Sequence, residues 1–278
     1  MENIIFTNSR GQSLYFDYSG DYMIDSYSGF TSADIEVSTV KGYNQNGYSF
    51  VGVTYGQREM KLNILLYGNG AEDFYEKRSN LVAVFNPLFG VGKLTYSNNY
   101  ETLSIDCYVS DMPEMTKTYG TLQLFSIGLT AANPFWYDSV EQGVKLQGFK
   151  GGLHFKFNFA HDIRFAESAN VGKVVNSGVI ETPVRIEIKN SNATNPVVYL
   201  NKRQFIGINT SMTSTSTCII NTGYGNKTIT IDGESAMRYL KSGSEFFSLP
   251  IGTSEIALEC DSGYPECYVY WKNYHAGV

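Results

Sequence analysis

The sequence has little charge, little cysteine and no long apolar run, and each shortage excludes a class of protein. Only 17% of its residues are charged, against a usual ~25%, yet a hydrophobic fraction of 42% is too high for a disordered chain. No apolar run approaches the ~18 residues that a membrane span needs, so we expect no membrane insertion. Four scattered cysteines are too few for a disulfide scaffold. A net charge of −6 without a basic tract predicts no specific nucleic-acid binding.

Aromatic and turn-forming residues are abundant instead. The chain contains 21 Tyr, 17 Phe, 2 Trp and 27 Gly, a composition that favours strands and turns over helices. At ~150 residues per domain, its length predicts roughly two domains. The first residues show no basic segment followed by an apolar stretch, so we expect no secretory signal and synthesis in the cytoplasm.

One strand and one helix are well marked in the first half. Apolar residues recur at every second position from Met60 to Leu66, which is the period of a half-buried strand. A helix is predicted from Ala71 to Phe85, because acidic residues crowd its first turns and Pro87 follows its end.

The apolar parity changes within a second predicted strand. Leu122 and Leu124 face one way, whereas Phe125, Ile127 and Leu129 face the other. A β-bulge near Leu124 would allow this change, and we predict one there.

A proline-punctuated aromatic cluster at residues 132–138 marks a domain boundary. Residues 1–139 carry 8 Lys or Arg and 15 Asp or Glu, a net charge of −7, whereas residues 140–278 carry 13 and 12, a net charge of +1. We therefore predict domains at residues 1–138 and 139–278. A structural role is assigned to four residues of the cluster, Asn133, Pro134, Phe135 and Trp136.

Short alternating strands dominate the second half. Apolar and polar residues alternate at residues 155–159, 184–188 and 256–260. This pattern, with one wet and one buried face, is typical of antiparallel sandwiches. Turn signals about every ten residues favour a jelly roll or a similar sandwich.

No catalytic motif is present. Gly-x-Ser-x-Gly and Cys-x-x-Cys are absent, and the histidines, His154, His161 and His275, form no His-Glu-x-x-His. Cys260, Cys267 and the nearby His275 do not have a recognised zinc spacing. Residues 90–94 imitate the end of a phosphate-binding loop, but Leu94 stands where that motif needs Ser or Thr, and we interpret the stretch as a plain turn. We predict no catalytic residue, no metal site and no cofactor.

Two residue pairs allow two interpretations each. Cys260 and Cys267 share parity with apolar neighbours on what resembles a hairpin; buried free thiols are favoured, and a disulfide is the alternative. Asp232 and Glu234 bracket Gly233, which favours a solvated hairpin turn. The alternative is a glycoside-cleaving pair, which needs its two carboxylates around a cleft.

Several segments, in their order along the chain, carry a resemblance to a known family. They are residues 11–16 (GQSLYF), 56–59 (GQRE), 74–78 (FYEKR), 85–87 (FNP), 90–96 (GVGKLTY), 129–136 (LTAANPFW) and 269–278 (VYWKNYHAGV), with weaker signals at 176–178, 182–183 and 195–196. Together they resemble the distal tail proteins (Dit) of siphoviruses, bacteriophages with long, non-contractile tails. The most telling segment is 129–136.

The resemblance implies a fold for each domain. The first domain is expected to be similar to the tail-tube fold, a β-sandwich with one helix. The second is expected to be a galectin-like or carbohydrate-module-like jelly roll. The sugar-binding residues of galectins are not carried over, because Lys156 and Asn158 stand where their His-x-Asn-x-Arg pattern needs Asn and Arg.

The resemblance also implies a structural, non-enzymatic function in the tail tip, or baseplate, of a virion made in the host cytoplasm. Six copies are expected to form a ring at the distal end of the tail tube, with DNA passing through the lumen. The ring would link the tail tube protein to the tail hub and anchor receptor-binding or accessory baseplate proteins. A net charge of −7 on residues 1–139 is compatible with a lumen that does not retain DNA. The alternative function is a carbohydrate-binding module that recognises the host cell wall directly.

Overall fold

The chain folds mainly as strands. The computed structural model describes residues 2–147, 171–189 and 192–278, and within these it contains one α-helix. The chain divides into two units: the residues up to Ser139 together with His275–Val278, and Val140–Tyr274. The predicted mainly β fold with one helix is confirmed.

The strands of the first unit pair antiparallel. In chain order they are β1 (Asn3–Thr7), β2 (Ser13–Phe16), β3 (Tyr22–Ser28), β4 (Ile35–Val40), β5 (Ser49–Tyr55), β6 (Arg58–Tyr67), β7 (Gly92–Ser97), β8 (Thr102–Tyr119), β9 (Leu122–Ala131) and β10 (Trp136–Asp138). The main sheet has the order β2-β1-β7-β8-β9-β6-β3, and β10 adds to β8. Strands β4 and β5 form a separate two-stranded sheet.

The main sheet surrounds an apolar core. The alternate residues of β6 from Met60 to Leu66 are at most 3% exposed, which confirms the predicted half-buried strand. Phe6 of β1 stacks on Phe85 with ring centres 4.4 Å apart. Alternation with period two therefore places every second side chain of these strands in one core.

The helix α1 (Ala71–Val84) ends one residue before the predicted boundary. The backbone N–H of Phe85 still donates to the carbonyl oxygen of Leu81, and Phe74, Leu81 and Val84 are buried. The acidic residues in its first turn face the positive end of the helix dipole. No helix among the described residues is long and apolar enough to cross a membrane.

The predicted bulge near Leu124 is not in β9 itself: the register shift beside Leu124 lies between Met115 and Lys117 of β8. Strand β9 pairs with β6 without a register shift over its whole length. Gln123 occupies the core face next to Phe125, so a polar residue keeps the parity that the apolar pattern seemed to break. The irregularities lie in β8, whose register against β9 shifts at three points between Val109 and Lys117.

The second unit consists of two antiparallel sheets. Its strands are β11 (Gln142–Gln147), β12 (Val171–Asn176), β13 (Thr182–Lys189), β14 (Val197–Leu200), β15 (Gln204–Gly207), β16 (Cys218–Gly223), β17 (Asn226–Ile231), β18 (Glu234–Ser235), β19 (Ser248–Leu249), β20 (Gly252–Glu259) and β21 (Glu266–Trp271), and β22 (Tyr274–His275) follows at the unit boundary. One sheet has the order β11-β21-β13-β16-β17-β18, with β19 on β13, and the other has the order β12-β20-β14-β15. Buried residues from both sheets form one core, as a sandwich requires.

The alternation predicted at residues 184–188 is confirmed, since Val184, Ile186 and Ile188 of β13 are buried. The alternation predicted at residues 155–159, with His154 and His161, lies outside the described residues.

The expectation that Cys260 and Cys267 both face the core of one hairpin is wrong. Strands β20 and β21 belong to different sheets, and Cys260 lies beyond the end of β20, partly exposed. Cys267 is buried in β21, where desolvation raises the pKa of its thiol. No disulfide joins Cys260 and Cys267, as the favoured interpretation predicts, but only Cys267 of the two is buried.

Candidate assembly surface

The hairpin formed by β4 and β5 is exposed along both of its strands. We call residues 35–55, which include both strands and the loop between them, the arm. Every residue of β4 is exposed, and so is every residue of β5 except Gly52. The backbone N–H of Gly56 donates to the carbonyl oxygen of Asp34 at 2.9 Å and closes the base of the arm.

The two faces of the arm differ in polarity. One face carries Glu36 opposite Thr54, Ser38 opposite Gly52 and Val40 opposite Ser49. The other face carries three cross-strand pairs, which are Ile35 with Tyr55, Val37 with Val53, and Thr39 with Phe50. In this second set, called the apolar face, Ile35 is 60% exposed and Phe50 is 67% exposed.

An uncovered apolar face on a two-stranded ribbon points to a partner. An isolated hairpin is at best marginally stable in water, because nothing covers its apolar side. Exposed apolar surface of this kind on a soluble protein typically marks an interaction site. Fully covering residues such as Val37 and Phe50 would contribute about 1.5–3 kcal/mol each. The arm therefore has the character of an interface segment.

The base of the arm adjoins a buried arginine. Arg58 follows the arm in sequence and is completely buried, although it carries a charge. Its Nε donates to the carbonyl oxygen of Pro134 at 2.6 Å, and its Nη1 donates to those of Gly29 at 2.7 Å and Phe30 at 3.0 Å. Its Nη2 donates to the carbonyl oxygen of Ala276. We call this set of bonds the Arg58 node.

Burying the positive charge of Arg58 costs solvation free energy, and its hydrogen bonds to four backbone carbonyls compensate for that cost. Desolvation lowers the pKa of the guanidinium, while the negative charge of Asp34 acts in the opposite direction. Arginine nevertheless stays protonated in proteins. Hydrogen bonds from an ionised donor are stronger than neutral ones, so four backbone carbonyls can hold the cation without a bound carboxylate. The node thereby ties the base of the arm to the chain before β10 and to the end of the chain.

The four residues assigned a structural role lie in different environments. Trp136 is fully buried, and its indole N–H donates to the carbonyl oxygen of Phe30 at 3.1 Å. Pro134 is buried and belongs to the Arg58 node through its carbonyl. Phe135 is half-buried and meets Tyr55 of the arm edge-on, with ring centres 5.1 Å apart. Asn133 is exposed, and its side chain accepts from the N–H of Phe135 at 3.4 Å.

A polar groove of about 490 Å³ lies on the outer face of the main sheet. Its acidic lining residues are Asp34, Glu59 and Asp111, and its one basic lining residue is Lys61. The carboxylate of Asp111 lies against the backbone of Gly128, where a Cβ would approach it within 2.2 Å. Acids thus outnumber bases in the groove.

The remaining sequence candidates are turns. Gly90 ends a 3-10 turn at φ +72°, and β7 begins two residues later, so residues 90–94 hold the end of a turn and the start of a strand. Asp232 and Gly233, both at positive φ, form a tight turn between β17 and β18. Asp232 and Glu234 are both exposed there, as a solvated turn predicts. Among residues 2–147, 171–189 and 192–278, no three His, Cys, Asp or Glu side chains are grouped to hold a metal ion.

Sequence reasoning missed both the arm and the Arg58 node. The sequence does contain a pattern that indicates the arm. Ile35, Val37 and Thr39 lie at alternate positions, and a turn rich in Asn and Gly follows them. The node has no such pattern, because a lone arginine in a strand gives no hint of four distant carbonyls.

Two families of phage tail domains match the chain. The phage tail protein RIFT-related domain matches residues 9–130, and the C-terminal domain of the siphovirus-type tail component matches residues 177–275. No curated protein sequence matches the chain.

Solved structures of phage tail components share the fold. The SPP1 Dit protein, described as a paradigm of the hub adsorption apparatus in phages that infect Gram-positive bacteria, is 13% identical with a TM-score of 0.71, over 98% of each chain. A chain of the phage p2 baseplate in its activated conformation with Ca is 13% identical with a TM-score of 0.57, over 98% of this chain and 97% of that one. The same baseplate with Sr gives 13% identity and a TM-score of 0.58, over 98% of each chain.

The family matches and the shared fold agree with the segments that resemble distal tail proteins. They identify a component of a phage tail, and hence of the virion. The chain belongs to the siphovirus distal tail (Dit) family.

Proposed function

We propose that six copies of this chain close into a ring at the distal end of the tail tube, with residues 1–138 forming the ring. A closed ring needs head-to-tail contacts, in which one surface of each copy meets a different surface of the next. The arm supplies one such surface, because its apolar face is uncovered in the single chain. This uncovered face is the observation that carries the proposal.

The bore of such a ring must let DNA pass without retaining it. B-DNA carries one negative charge per ~1.7 Å, so a basic wall would bind it. The outer face of the main sheet around Glu59 and Asp111 is polar and acid-rich, and we assign it to the bore. The net charge of −7 on residues 1–139 would likewise repel DNA.

Residues 139–278 serve as the docking domain in this proposal. They would hold receptor-binding or accessory baseplate proteins, while the ring connects the tail tube protein to the tail hub. The sandwich of the second unit presents a mixed polar face on β13 and β21, where Arg185 stacks on Tyr270 at 4.1 Å and pairs with Glu141 at 2.7 Å. Aromatic and arginine side chains are enriched in protein interfaces, which suits docking.

Charge placed on the arm tests the ring. Val37→Asp together with Val53→Asp puts two carboxylates on the apolar face, and Ser38→Asp puts one on the polar face of the same arm. We expect the double variant to lose the ring in light scattering and negative-stain images while its thermal unfolding is unchanged. Ser38→Asp should still form rings. Rings of normal size from the double variant, or an exclusively monomeric parent chain with tube and hub proteins present, would refute the proposal.

A further inference from the structure

The tip of the arm contains the sequence Asn46-Gly47, and we propose that Asn46 is a self-modification site at which the side-chain amide deamidates to a carboxylate. Asparagine is a thermolabile residue. Glycine as the next residue leaves the attacking backbone nitrogen without steric cover, because it has no side chain. The chain contains one other Asn-Gly pair, Asn69-Gly70, at the start of α1.

The reaction needs only water. The backbone nitrogen of Gly47 attacks the side-chain carbonyl carbon of Asn46, the new C–N bond closes a five-membered succinimide, and ammonia leaves. Water then opens the ring at either carbonyl. The products are aspartate, with the original backbone, and isoaspartate, with one extra backbone carbon. No oxidant, metal or enzyme enters the balance.

The structure leaves Asn46 free to react. Asn46 and Gly47 are both exposed, and Gly47 has φ +81° with no atom within 4 Å of the position of a Cβ. Among the described residues, neither makes a hydrogen bond. The hydrogen bonds of the loop belong to its neighbour Gln45, whose side chain accepts from the N–H of Gly42 at 2.8 Å and donates to Ser49 at 2.9 Å.

The second Asn-Gly pair is held in place and provides an internal control. The backbone N–H of Asn69 donates to the carboxylate of Asp73 at 2.6 Å. The carbonyl oxygen of Gly70 accepts the first hydrogen bond of α1, from the N–H of Phe74 at 3.1 Å. Forming the succinimide at Asn69 requires the start of the helix to open first. The Asn-Gly dipeptide is therefore exposed at both places, but only the one in the arm is without hydrogen bonds that hold its backbone.

The product would alter the surface that the proposed ring uses, and this consequence rests on the proposed function. Glu36 and Lys41 are the charged residues of the arm, so its net charge is zero. Deamidation makes it −1, within a region whose net charge is already −7. Like charges repel, so modified copies should associate less readily. A formed ring that covers the arm would in turn hold Asn46 rigid and slow its reaction.

Peptide mapping by mass spectrometry tests the site on the full chain. The unassembled protein is incubated in warm, mildly alkaline buffer, and the amide-to-acid mass gain is followed at both pairs. We expect Asn46 to convert at least about tenfold faster than Asn69, because the latter must first lose two hydrogen bonds. Asn46→Gln should abolish the fast conversion and leave Asn69 unchanged. Equal rates at the two asparagines would overturn the proposal.

Assembly provides the second measurement. In rings, conversion of Asn46 should slow while Asn69 keeps its rate, and Asn46→Asp should raise the concentration needed for ring formation by about two- to fivefold. If Asn46 converts as fast in rings as in the unassembled protein, the proposed link between deamidation and assembly is wrong, but the assignment of Asn46 as a deamidation site is unaffected. If no ring forms, the proposed function fails, and the ratio of the two rates still decides the site.

Discussion

Trp136 and Arg58 donate hydrogen bonds to the same oxygen atom. The indole N–H of Trp136 lies 3.1 Å from the carbonyl oxygen of Phe30, and Nη1 of Arg58 lies 3.0 Å from it. The backbone N–H of Val278 donates to the same oxygen at 3.3 Å, so three donors share it. The aromatic rings of Phe30 and Trp136 also meet, with centres 5.4 Å apart. The segment between β3 and β4, which contains Phe30, is therefore held in place by the guanidinium of Arg58 and the indole of Trp136 together.

Arg58→Met should strongly destabilise the first unit. Methionine keeps much of the side-chain volume but leaves the carbonyls of Gly29, Pro134 and Ala276 without the donor that Arg58 supplies, whereas the carbonyl of Phe30 keeps its hydrogen bond from Trp136. Unsatisfied buried groups are costly, so we expect the free energy of unfolding to fall by about 3–5 kcal/mol. Denaturant unfolding measures it.

Arg203→Met is the control for Arg58→Met, because Arg203 is exposed. Its free energy of unfolding should stay within about 0.5 kcal/mol of the parent. Two variants with the same small loss would show that the node contributes nothing beyond an ordinary surface arginine.

Trp136→Ala should destabilise the chain more than any substitution of an exposed residue. Truncating a fully buried tryptophan removes its apolar contacts and its hydrogen bond to Phe30, and we expect a loss of about 3–5 kcal/mol. Phe135→Ala, at the half-buried neighbour, should cost less. Thermal melting checks both, and a melting temperature of Trp136→Ala within about a degree of the parent would contradict the expectation.

Glu2→Gln should lower stability in a pH-dependent way. Glu2 accepts from the hydroxyls of Tyr18 at 3.0 Å and Tyr27 at 3.1 Å. The bond from Tyr18, then that from Tyr96, lowers the pKa of the carboxyl below its ordinary value of 4.5, and desolvation opposes them.

A lowered pKa in the folded state means that the unfolded chain binds the proton first as pH falls. The stability contributed by Glu2 is therefore fully present above pH 4.5 and is lost as pH falls through the lower folded-state value. The difference between parent and Glu2→Gln should be constant near neutral pH and shrink in acid. Urea unfolding at several pH values measures it, and a difference that grows in acid would be the opposite of this result.

Glu59→Lys with Asp111→Lys should make the proposed ring bind DNA. The two changes reverse charge on the groove face assigned to the bore. We expect binding to duplex DNA that weakens steeply with salt, as counterion release requires. Glu72→Lys with Glu76→Lys makes the same change in charge at exposed positions on α1. Equal DNA binding by both double variants would show that the groove does not line the bore.

Elements that follow from neighbours in sequence were predictable. Strand β6 and the helix α1 could be predicted because their apolar residues recur with periods of two and of 3.6 residues. These periods depend only on the local backbone geometry, which decides which side chains face the core. The same logic failed at Gln123, where a polar residue sits on the core face and breaks the visible pattern without breaking the strand.

The sequence by itself determined the strand-rich character, the single helix, the aromatic stretch before Asp138 and the absence of a familiar catalytic motif. Only the tertiary structure decided that Cys260 and Cys267 lie on different sheets, that the arm shows an uncovered apolar face, and that Arg58 joins three segments of the chain. The physical reason is that pairing and burial depend on residues far apart in sequence. Ala276, for example, lies 218 positions from the arginine that binds its carbonyl.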